Sequence, residues 1–76
     1  MKNENLIAAR KQSGKTQTQV AKEIGIVEVA YQRYEYCLRE PKVTTAIKIA
    51  NTLGVKDFQK FCELWECHNH TDILTT

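Results

Sequence analysis

The stretch that decides the fold is QTQVAKEIGIVEVAYQRYEY, residues 17–36. It predicts two short helices joined by a tight turn, because Gly25 can adopt the left-handed backbone conformation that commonly ends a helix. Ala21 is small enough to let the second helix approach closely. Tyr31 and Tyr34 lie three residues apart, so they share one helical face and are expected in the core. A pair of helices joined in this way binds DNA when its second helix is free to enter a major groove.

The length and composition of the chain fit one small domain of mixed charge. Its 76 residues include 11 basic and 9 acidic side chains. Up to Lys42 there are 8 basic and 5 acidic residues, a net charge of +3, and afterwards 3 and 4, a net charge of −1. This mild excess near the predicted helix pair permits phosphate contacts, although a general nucleic-acid binder usually has a stronger basic patch. A domain of this size is marginally stable alone, which favours efficient helix packing or a second subunit.

Two further features of the sequence concern location. No apolar run approaches the length needed to span a membrane, and the start, MKNEN, does not resemble a signal peptide. The three cysteines, Cys37, Cys62 and Cys67, are odd in number and unpatterned, which favours a reducing compartment over a disulfide scaffold. We therefore expect a cytoplasmic protein without membrane association.

Turn-forming residues divide the chain into helices, and the sequence contains no strand pattern. A first helix is expected from a cap at Asn3 or Asn5 to about Ser13, and a second helix after a cap at Thr16. The third helix is expected to span residues 28–36.

Two more helices are expected after the proline-containing loop. Thr44 or Thr45 is the expected cap of the fourth helix, and Gly54 closes it. The fifth helix is expected from a cap at Asp57 to about Glu66. One face of the fourth helix is expected to carry four apolar residues, Ala46, Ile47, Ala50 and Leu53.

Three runs of the sequence resemble a known family. They are LIAARKQSGKTQTQVAKEIGI (residues 6–26), YQRYE (31–35) and REPKVTTAIKIANTLGV (39–55), and they are similar to the lambda repressor/Cro-like, or Xre-type, family. The resemblance includes the small residue and the glycine of the helix pair, Pro41, and the A-x-x-L-G-V ending of the fourth helix. It implies a compact all-α bundle of five helices that binds operator DNA, usually as a two-fold dimer, and represses or activates transcription.

Two positions depart from the pattern of that family. The family usually places Ser or Thr at Val27, where the side chain caps the recognition helix, and valine has no oxygen to accept from the free amide groups. The charge of Glu28 at the helix N-terminus is expected to compensate in part. The family usually has Gly at Cys37, in a left-handed position where a cysteine bears some backbone strain.

The resemblance also implies a set of DNA contacts around the third helix. Gln17, at the start of the second helix, is implied as a phosphate contact, and the basic loop after the third helix as a grip on the DNA backbone. The expected DNA-binding residues are Gln17, Val27, Glu28, Val29, Gln32, Arg33, Tyr36, Arg39 and Lys42. The alternative for each is an ordinary solvated side chain.

Four of these residues form a stripe at one-turn spacing on the third helix, namely Glu28, Val29, Gln32 and Arg33. Each has a base partner in the major groove. Gln can bond adenine through two hydrogen bonds and Arg can bond guanine, while Glu can accept from the cytosine amino group and Val can touch a thymine methyl. The stripe therefore predicts base reading by the third helix.

Two further sets of residues have expected roles within the protein. Arg10 and Glu35 resemble an ion pair of the family that holds the recognition helix at its angle, and the alternative is two unrelated surface charges. The fifth helix has more apolar side chains than one core-facing stripe needs, so we expect both core closure and a dimer contact there. The residues expected at the dimer contact are Phe58, Phe61, Leu64 and Trp65.

Other chemistries have weaker support in the sequence. A metal site is suggested only by four crowded residues near the C-terminal end, Cys62, Cys67, His68 and His70, whereas zinc sites usually show two well-spaced ligand pairs. The sequence contains no nucleophile–base set, no carboxylate pair and no glycine-rich phosphate loop. We expect no enzyme activity, no cofactor, no metal and no small-molecule substrate.

The sequence thus predicts a helix-turn-helix DNA-binding domain over residues 1–66 and a short C-terminal tail over residues 67–76. The expected function is sequence-specific regulation of transcription by a phage or mobile-element type repressor, which binds double-stranded DNA as a homodimer on a palindromic operator. One alternative, favoured by the weak basicity and by Glu28, is a protein-interaction module on the same fold, such as an antitoxin or antirepressor. A second alternative is a thiol- or metal-responsive regulator.

Overall fold

Five helices make up the part of the chain that the computed structural model describes, residues 1–66. They are α1 (Glu4–Gln12), α2 (Gln17–Ile24), α3 (Glu28–Glu35), α4 (Val43–Thr52) and α5 (Phe58–Glu63). These residues contain no strand, so the predicted all-α fold of five helices is confirmed. The predicted tail, residues 67–76, lies outside the described residues.

Side-chain caps begin three of the helices at predicted positions. Asn3 accepts a hydrogen bond from the Leu6 amide at 3.0 Å and so begins α1. Thr16 and Gln19 form a capping box at the start of α2, and Asp57 caps α5. Each cap satisfies an amide group that has no partner within its own helix.

Asn3 also ties three parts of the fold together. Its backbone amide donates to the carbonyl of Glu35, the last residue of α3, at 2.7 Å. Its side-chain amide donates to the carbonyl of Leu64, just after α5. Because Asn3 is itself buried at the start of α1, these bonds hold the ends of α3 and α5 against the start of α1.

The turn between α2 and α3 and the end of α3 have the predicted backbone conformations. Gly25 ends α2 with a left-handed φ of 82°. Val27 occupies the N-cap position of α3 and makes no side-chain hydrogen bond there. After α3, Cys37 has a φ of 56°, a left-handed value that costs a non-glycine residue some strain.

The cysteines of the described region differ in state. Cys37 is disulfide-bonded, whereas Cys62 is a free, exposed thiol. The sequence favoured a reducing compartment over a disulfide scaffold, and a count of cysteines carries no information about which residues approach each other in space.

The core lies where α2, α3 and α4 meet. α2 packs against α3 and α4, and α1 packs against α3. The rings of Tyr31 and Tyr34 meet edge to face with 6.5 Å between their centroids, as expected of two core side chains on one helical face. The buried apolar residues are Leu6, Val20, Ala21, Ile24, Tyr31, Tyr34, Ala46, Ile49, Ala50, Leu53, Leu64 and Trp65.

The predicted cap of α4 is wrong. The helix begins at Val43, and its N-cap is Lys42 rather than Thr44 or Thr45. Lys42 has an extended backbone, and its carbonyl accepts from the amide of Ala46 at 2.8 Å. The ladder of helical hydrogen bonds therefore starts before either threonine.

The buried face of α4 also differs from the predicted face. Ala46, Ala50 and Leu53 are buried as predicted, but Ile49 is buried in place of Ile47. At about 100° per residue, Ile49 lies about 40° beyond one edge of the arc that those three residues span, whereas Ile47 lies about 60° beyond the other edge, farther from the centre of the buried face. Ile47 is left half-exposed on the surface of the helix.

α5 is shorter than predicted, because it ends at Glu63 and not near residue 66. The amide of Trp65 bonds to the carbonyl of Cys62, three residues back, and the amide of Leu64 is shared between carbonyls three and four residues back. This change to three-residue spacing tightens the last turn and ends the α-helix.

Candidate nucleic-acid interface

The outer surface of α3 is mostly polar and largely open to solvent. Glu28, Val29 and Arg33 are exposed, and Gln32 is half-buried beside them. We call these four residues the α3 face. Val27, at the N-cap of the helix, is 67% exposed. The structure therefore places the predicted base-reading residues side by side on one accessible helix.

Hydrogen bonds link the α3 face to the start of α2. Gln32 Nε2 donates to Gln17 Oε1 at 3.2 Å and to Glu28 Oε2 at 3.1 Å. Thr18 Oγ1 donates to Glu28 Oε1 at 2.7 Å. Thr18 was not predicted at this site, because its partner lies on another helix and the local sequence carries no signal for the contact.

A nearly buried ion pair lies behind this junction. Arg10 Nε donates to Glu35 Oε2 at 2.6 Å, and the side chain of Glu35 is only 1% exposed. Glu35 also accepts from Gln17 Nε2 at 2.8 Å, while Arg10 Nη1 donates to the carbonyl of Lys15 at 3.0 Å. The hydrogen bond to Glu35 raises the pKa of Arg10 above its usual range. These contacts join α1, α2 and α3 at the base of the α3 face.

Tyr31 supports α3 from the core side, close to the same ion pair. Burial, together with the nearby Glu35 carboxylate, raises the pKa of the Tyr31 phenol well above its usual range. The hydroxyl is buried and makes no hydrogen bond within the described residues. Tyr31 therefore supplies packing behind the α3 face.

Basic residues extend the surface beyond the end of α3. Tyr36, Arg39 and Lys42 are exposed between α3 and α4. The ammonium nitrogen of Lys2 lies 5.9 Å from the centroid of the Tyr36 ring, within the range of a cation–π contact. Lys2 was not predicted at this site, since nothing in the local sequence indicates that the start of the chain lies beside the end of α3.

The four residues predicted at a dimer contact lie in two different environments. Leu64 is 3% exposed and Trp65 is 7% exposed, so their own chain covers both. Phe58 is 78% exposed, and Phe61 is half-buried with its ring edge to face against Trp65. Phe58 is therefore open at the surface, while Leu64 and Trp65 lie in the core of the single chain.

Residues 1–66 contain no group of three or more His, Cys, Asp or Glu side chains arranged to hold a metal ion. Three of the four residues considered for a metal site, Cys67, His68 and His70, lie outside the described residues. No helix in this part of the chain is long and apolar enough to cross a membrane.

A pair of helices joined by a glycine turn, here α2 and α3, with the second helix of the pair exposed, also characterises a known family. Residues 6–60 match the helix-turn-helix family of lambda repressor-like (Xre) type. The chain belongs to this family. The resemblance read from the sequence is confirmed, and the chain is a member of a family of DNA-binding regulators of transcription, not of enzymes.

Two curated relatives are similar to this helix-turn-helix protein. It is 46% identical over 55 residues to the uncharacterized HTH-type transcriptional regulator YqaE of Bacillus subtilis, an alignment that covers 72% of this chain and 47% of the relative. It is 32% identical over 71 residues to the cryptic phage CTXphi transcriptional repressor RstR of Vibrio cholerae, covering 93% of this chain and 62% of the relative. The chain thus spans about half to three-fifths of the length of these relatives. No solved structure matches the chain.

Proposed function

We propose that this chain is a sequence-specific repressor of transcription that acts in the cytoplasm and binds a palindromic operator as a homodimer. The observation that carries the proposal is the α3 face, an exposed row of base-compatible side chains on the second helix of a helix-turn-helix. The major groove of B-DNA admits an α-helix, whose projecting side chains then reach the base edges. Similarity to a phage repressor supports the phage or mobile-element type.

In this proposal the α3 face reads bases. Arg33 suits guanine, because its guanidinium offers two donors to O6 and N7. Glu28 accepts from the amino group of cytosine, and its negative charge repels phosphates on DNA that lacks a partner for it. Val29 touches a thymine methyl group. The α3 face thereby discriminates by attraction to one sequence and by repulsion from others.

Phosphates are contacted on both sides of the α3 face. Gln17 lies at the start of α2, where free amide groups favour an anion. Tyr36, Arg39 and Lys42 follow the other end of α3, and Lys2 adds a positive charge beside Tyr36. Contacts of this kind fix the orientation of the protein on the duplex without reading its sequence.

Dimerisation uses the exposed part of α5 in this proposal. Phe58 and Phe61 border a mostly apolar groove whose other wall includes Ile47 of α4. A two-fold interface uses the same surface on both subunits, and exposed apolar side chains suit such a contact. Two α3 helices placed about 34–36 Å apart then reach successive major grooves on one side of the duplex.

Selection of bound sequences from a random DNA pool tests the proposal. We expect a two-fold symmetric consensus, whose affinity exceeds that for random DNA at every salt concentration. If a protein that is folded by circular dichroism enriches no sequence, specific DNA binding is wrong. If a single asymmetric half-site is enriched with one subunit bound, the dimer is wrong and the base-reading role stands.

A protein-interaction module on the same fold is the second candidate, for example an antitoxin or an antirepressor. It is favoured by the low net charge of the chain, +2, and by the carboxylate of Glu28 on the α3 face. A module of this kind is expected to bind random and selected DNA equally weakly, so the same selection separates the two candidates.

A further inference from the structure

The hydrogen bonds behind the α3 face form a hydrogen-bonded chain of side chains with a fixed direction. Arg10, at its start, has only donors, and the carboxylate of Glu35, its next member, has only acceptors. We propose that this chain holds the side-chain amide of Gln32 so that only its carbonyl oxygen, Oε1, is presented to DNA. Gln32 then reads the exocyclic amino group of a base, adenine N6 or cytosine N4, and does not donate to a purine N7. The inference rests on the proposed function, in which α3 enters the major groove.

The direction of the chain is set at the ion pair. The guanidinium of Arg10 has N–H donors and no acceptor, and the carboxylate of Glu35 has only acceptors. Glu35 Oε1 is 2.8 Å from the amide of Gln17. Only the NH₂ end of that amide fits there, because the carbonyl end places two oxygen atoms together without a hydrogen between them. The Oε1 atom of Gln17 is therefore left for its next partner.

The amide of Gln32 is then fixed from two sides. Its Nε2 is 3.2 Å from Gln17 Oε1 and 3.1 Å from Glu28 Oε2, so both of its hydrogens are used. Glu28 is itself held by the hydroxyl of Thr18 at 2.7 Å. If the Gln32 amide turned over, its oxygen would face two other oxygens and both hydrogen bonds would be lost.

The carbonyl oxygen of Gln32 remains free. Among residues 1–66, Oε1 accepts no hydrogen bond and is not one of the fully buried polar atoms without a partner, and the Gln32 side chain is only half-buried. A two-bond contact of glutamine with adenine needs an acceptor for N6 and a donor for N7. A glutamine side chain without other hydrogen bonds offers both groups, but Gln32 in this structure has only the acceptor available.

The inference concerns one atom of a base and not the identity of a base pair. Every base pair shows one exocyclic amino group in the major groove, on adenine or on cytosine. Base analogues that remove single atoms are therefore the decisive probes.

The experiment starts from an operator obtained by selection from the random pool. The base pair read by Gln32 is found by replacing the base pairs of the operator one at a time. It is the pair whose replacement weakens binding by the wild type but not by the Gln32→Ala variant. At that pair, one analogue lacks the amino group (purine for adenine, or 2-pyrimidinone for cytosine), and a second carries a 7-deaza purine, which lacks N7. By fluorescence anisotropy, we expect the first analogue to weaken wild-type binding about fivefold, the effect of one hydrogen bond, and the second to leave it unchanged.

Three variants serve as controls. In Gln32→Ala, loss of the amino group causes no further weakening. Gln59→Ala, which changes a glutamine on α5 bonded to Glu63, responds to both analogues as the wild type does. The double variant Gln17→Ala with Glu28→Ala releases the Gln32 amide, and we expect a 7-deaza purine to weaken its binding about twofold or more, measured as a ratio within that variant.

Several results overturn the inference while the proposed function stands. They are a 7-deaza purine that weakens wild-type binding, an amino-group loss without effect, the absence of any base pair that depends on Gln32, and a double variant that stays insensitive to 7-deaza purine. If no operator is selected at all, the proposed function fails, and this inference fails with it.

Discussion

The ion pairs Arg10–Glu35 and Lys15–Glu23 have similar lengths, 2.6 and 2.8 Å, but different burial. Glu35→Ala is expected to destabilise the protein by about 3 kcal/mol, because the Arg10 guanidinium is left partly buried without a counter-charge. Glu23→Ala is the matched control and is expected to cost less than about 1 kcal/mol, since solvent screens its exposed carboxylate. Urea unfolding measures both changes, and equal losses would contradict the importance of burial.

Tyr31 makes the free energy of unfolding depend on pH in the alkaline range. Because burial raises the pKa of its phenol, the folded protein keeps this proton after the unfolded chain has lost it. The resulting contribution to stability is complete below about pH 10, the ordinary tyrosine pKa, and declines as the pH rises above it. Tyr31→Phe is expected to lie within about 1 kcal/mol of wild type at pH 7, since the hydroxyl has no hydrogen bond in the described region. Its unfolding free energy is expected to fall less than that of wild type between about pH 10 and 11, and parallel declines would contradict the prediction.

Arg33 and Lys42 separate base reading from phosphate binding. Arg33→Ala is expected to cost about 1–3 kcal/mol on the selected operator and to relax the preference at one base pair. Lys42→Ala is expected to weaken binding to all sequences alike and to lower the slope of affinity against salt by about one unit. Titrations on selected and random DNA at several salt concentrations measure both effects. Unchanged operator affinity after Arg33→Ala would remove that residue from the base-reading set.

At the scale of the helices, α3 and α4 both begin without a side-chain cap, and the surface of α3 carries the proposed function. Val27→Ser is expected to stabilise the protein by about 0.5–2 kcal/mol, because serine accepts from a free amide and the exposed valine side chain gives up little packing. Thr16→Ala, which removes the capping box of α2, is the opposite control and is expected to cost about 1 kcal/mol. Thermal unfolding measures both, and a lower melting temperature for Val27→Ser would show that the valine contributes packing.

Helix starts and turns were predictable where the deciding residues lie close together in the sequence. Thr16, Asp57 and the turn at Gly25 are examples, and helical spacing placed the four residues of the α3 face on one side of their helix. The start of α4 was not predictable in this way, because its N-cap residue, Lys42, makes no side-chain hydrogen bond there. Contacts between helices, such as that of Thr18 with the α3 face, have no signal in the local sequence.

At the scale of the whole molecule, Phe58 is a large aromatic residue that the fold leaves 78% exposed. Phe58→Ser is expected to weaken self-association and binding to the two-fold operator together, while the free energy of unfolding changes by less than about 0.5 kcal/mol. Leu38→Ser, which changes an exposed leucine in the loop after α3, is expected to leave self-association unchanged. Sedimentation velocity and DNA titration measure these effects. A wild-type protein that stays monomeric both free and on its best site would contradict the proposed dimer.

The hydrogen bond from Asn3 to the carbonyl of Leu64 joins positions 61 residues apart. Closing so long a loop costs more chain entropy than pairing α2 with α3, so we expect the helix pair to form early and this contact to form late. The same asparagine fastens the end of α3 through the carbonyl of Glu35. During synthesis from the N-terminus, the helix pair therefore forms before α5 has been made. At that stage Asn3, which holds the C-terminal end of α3, has not yet bonded to the carbonyl of Leu64. Tight operator binding is thus expected only after the ribosome has released α5.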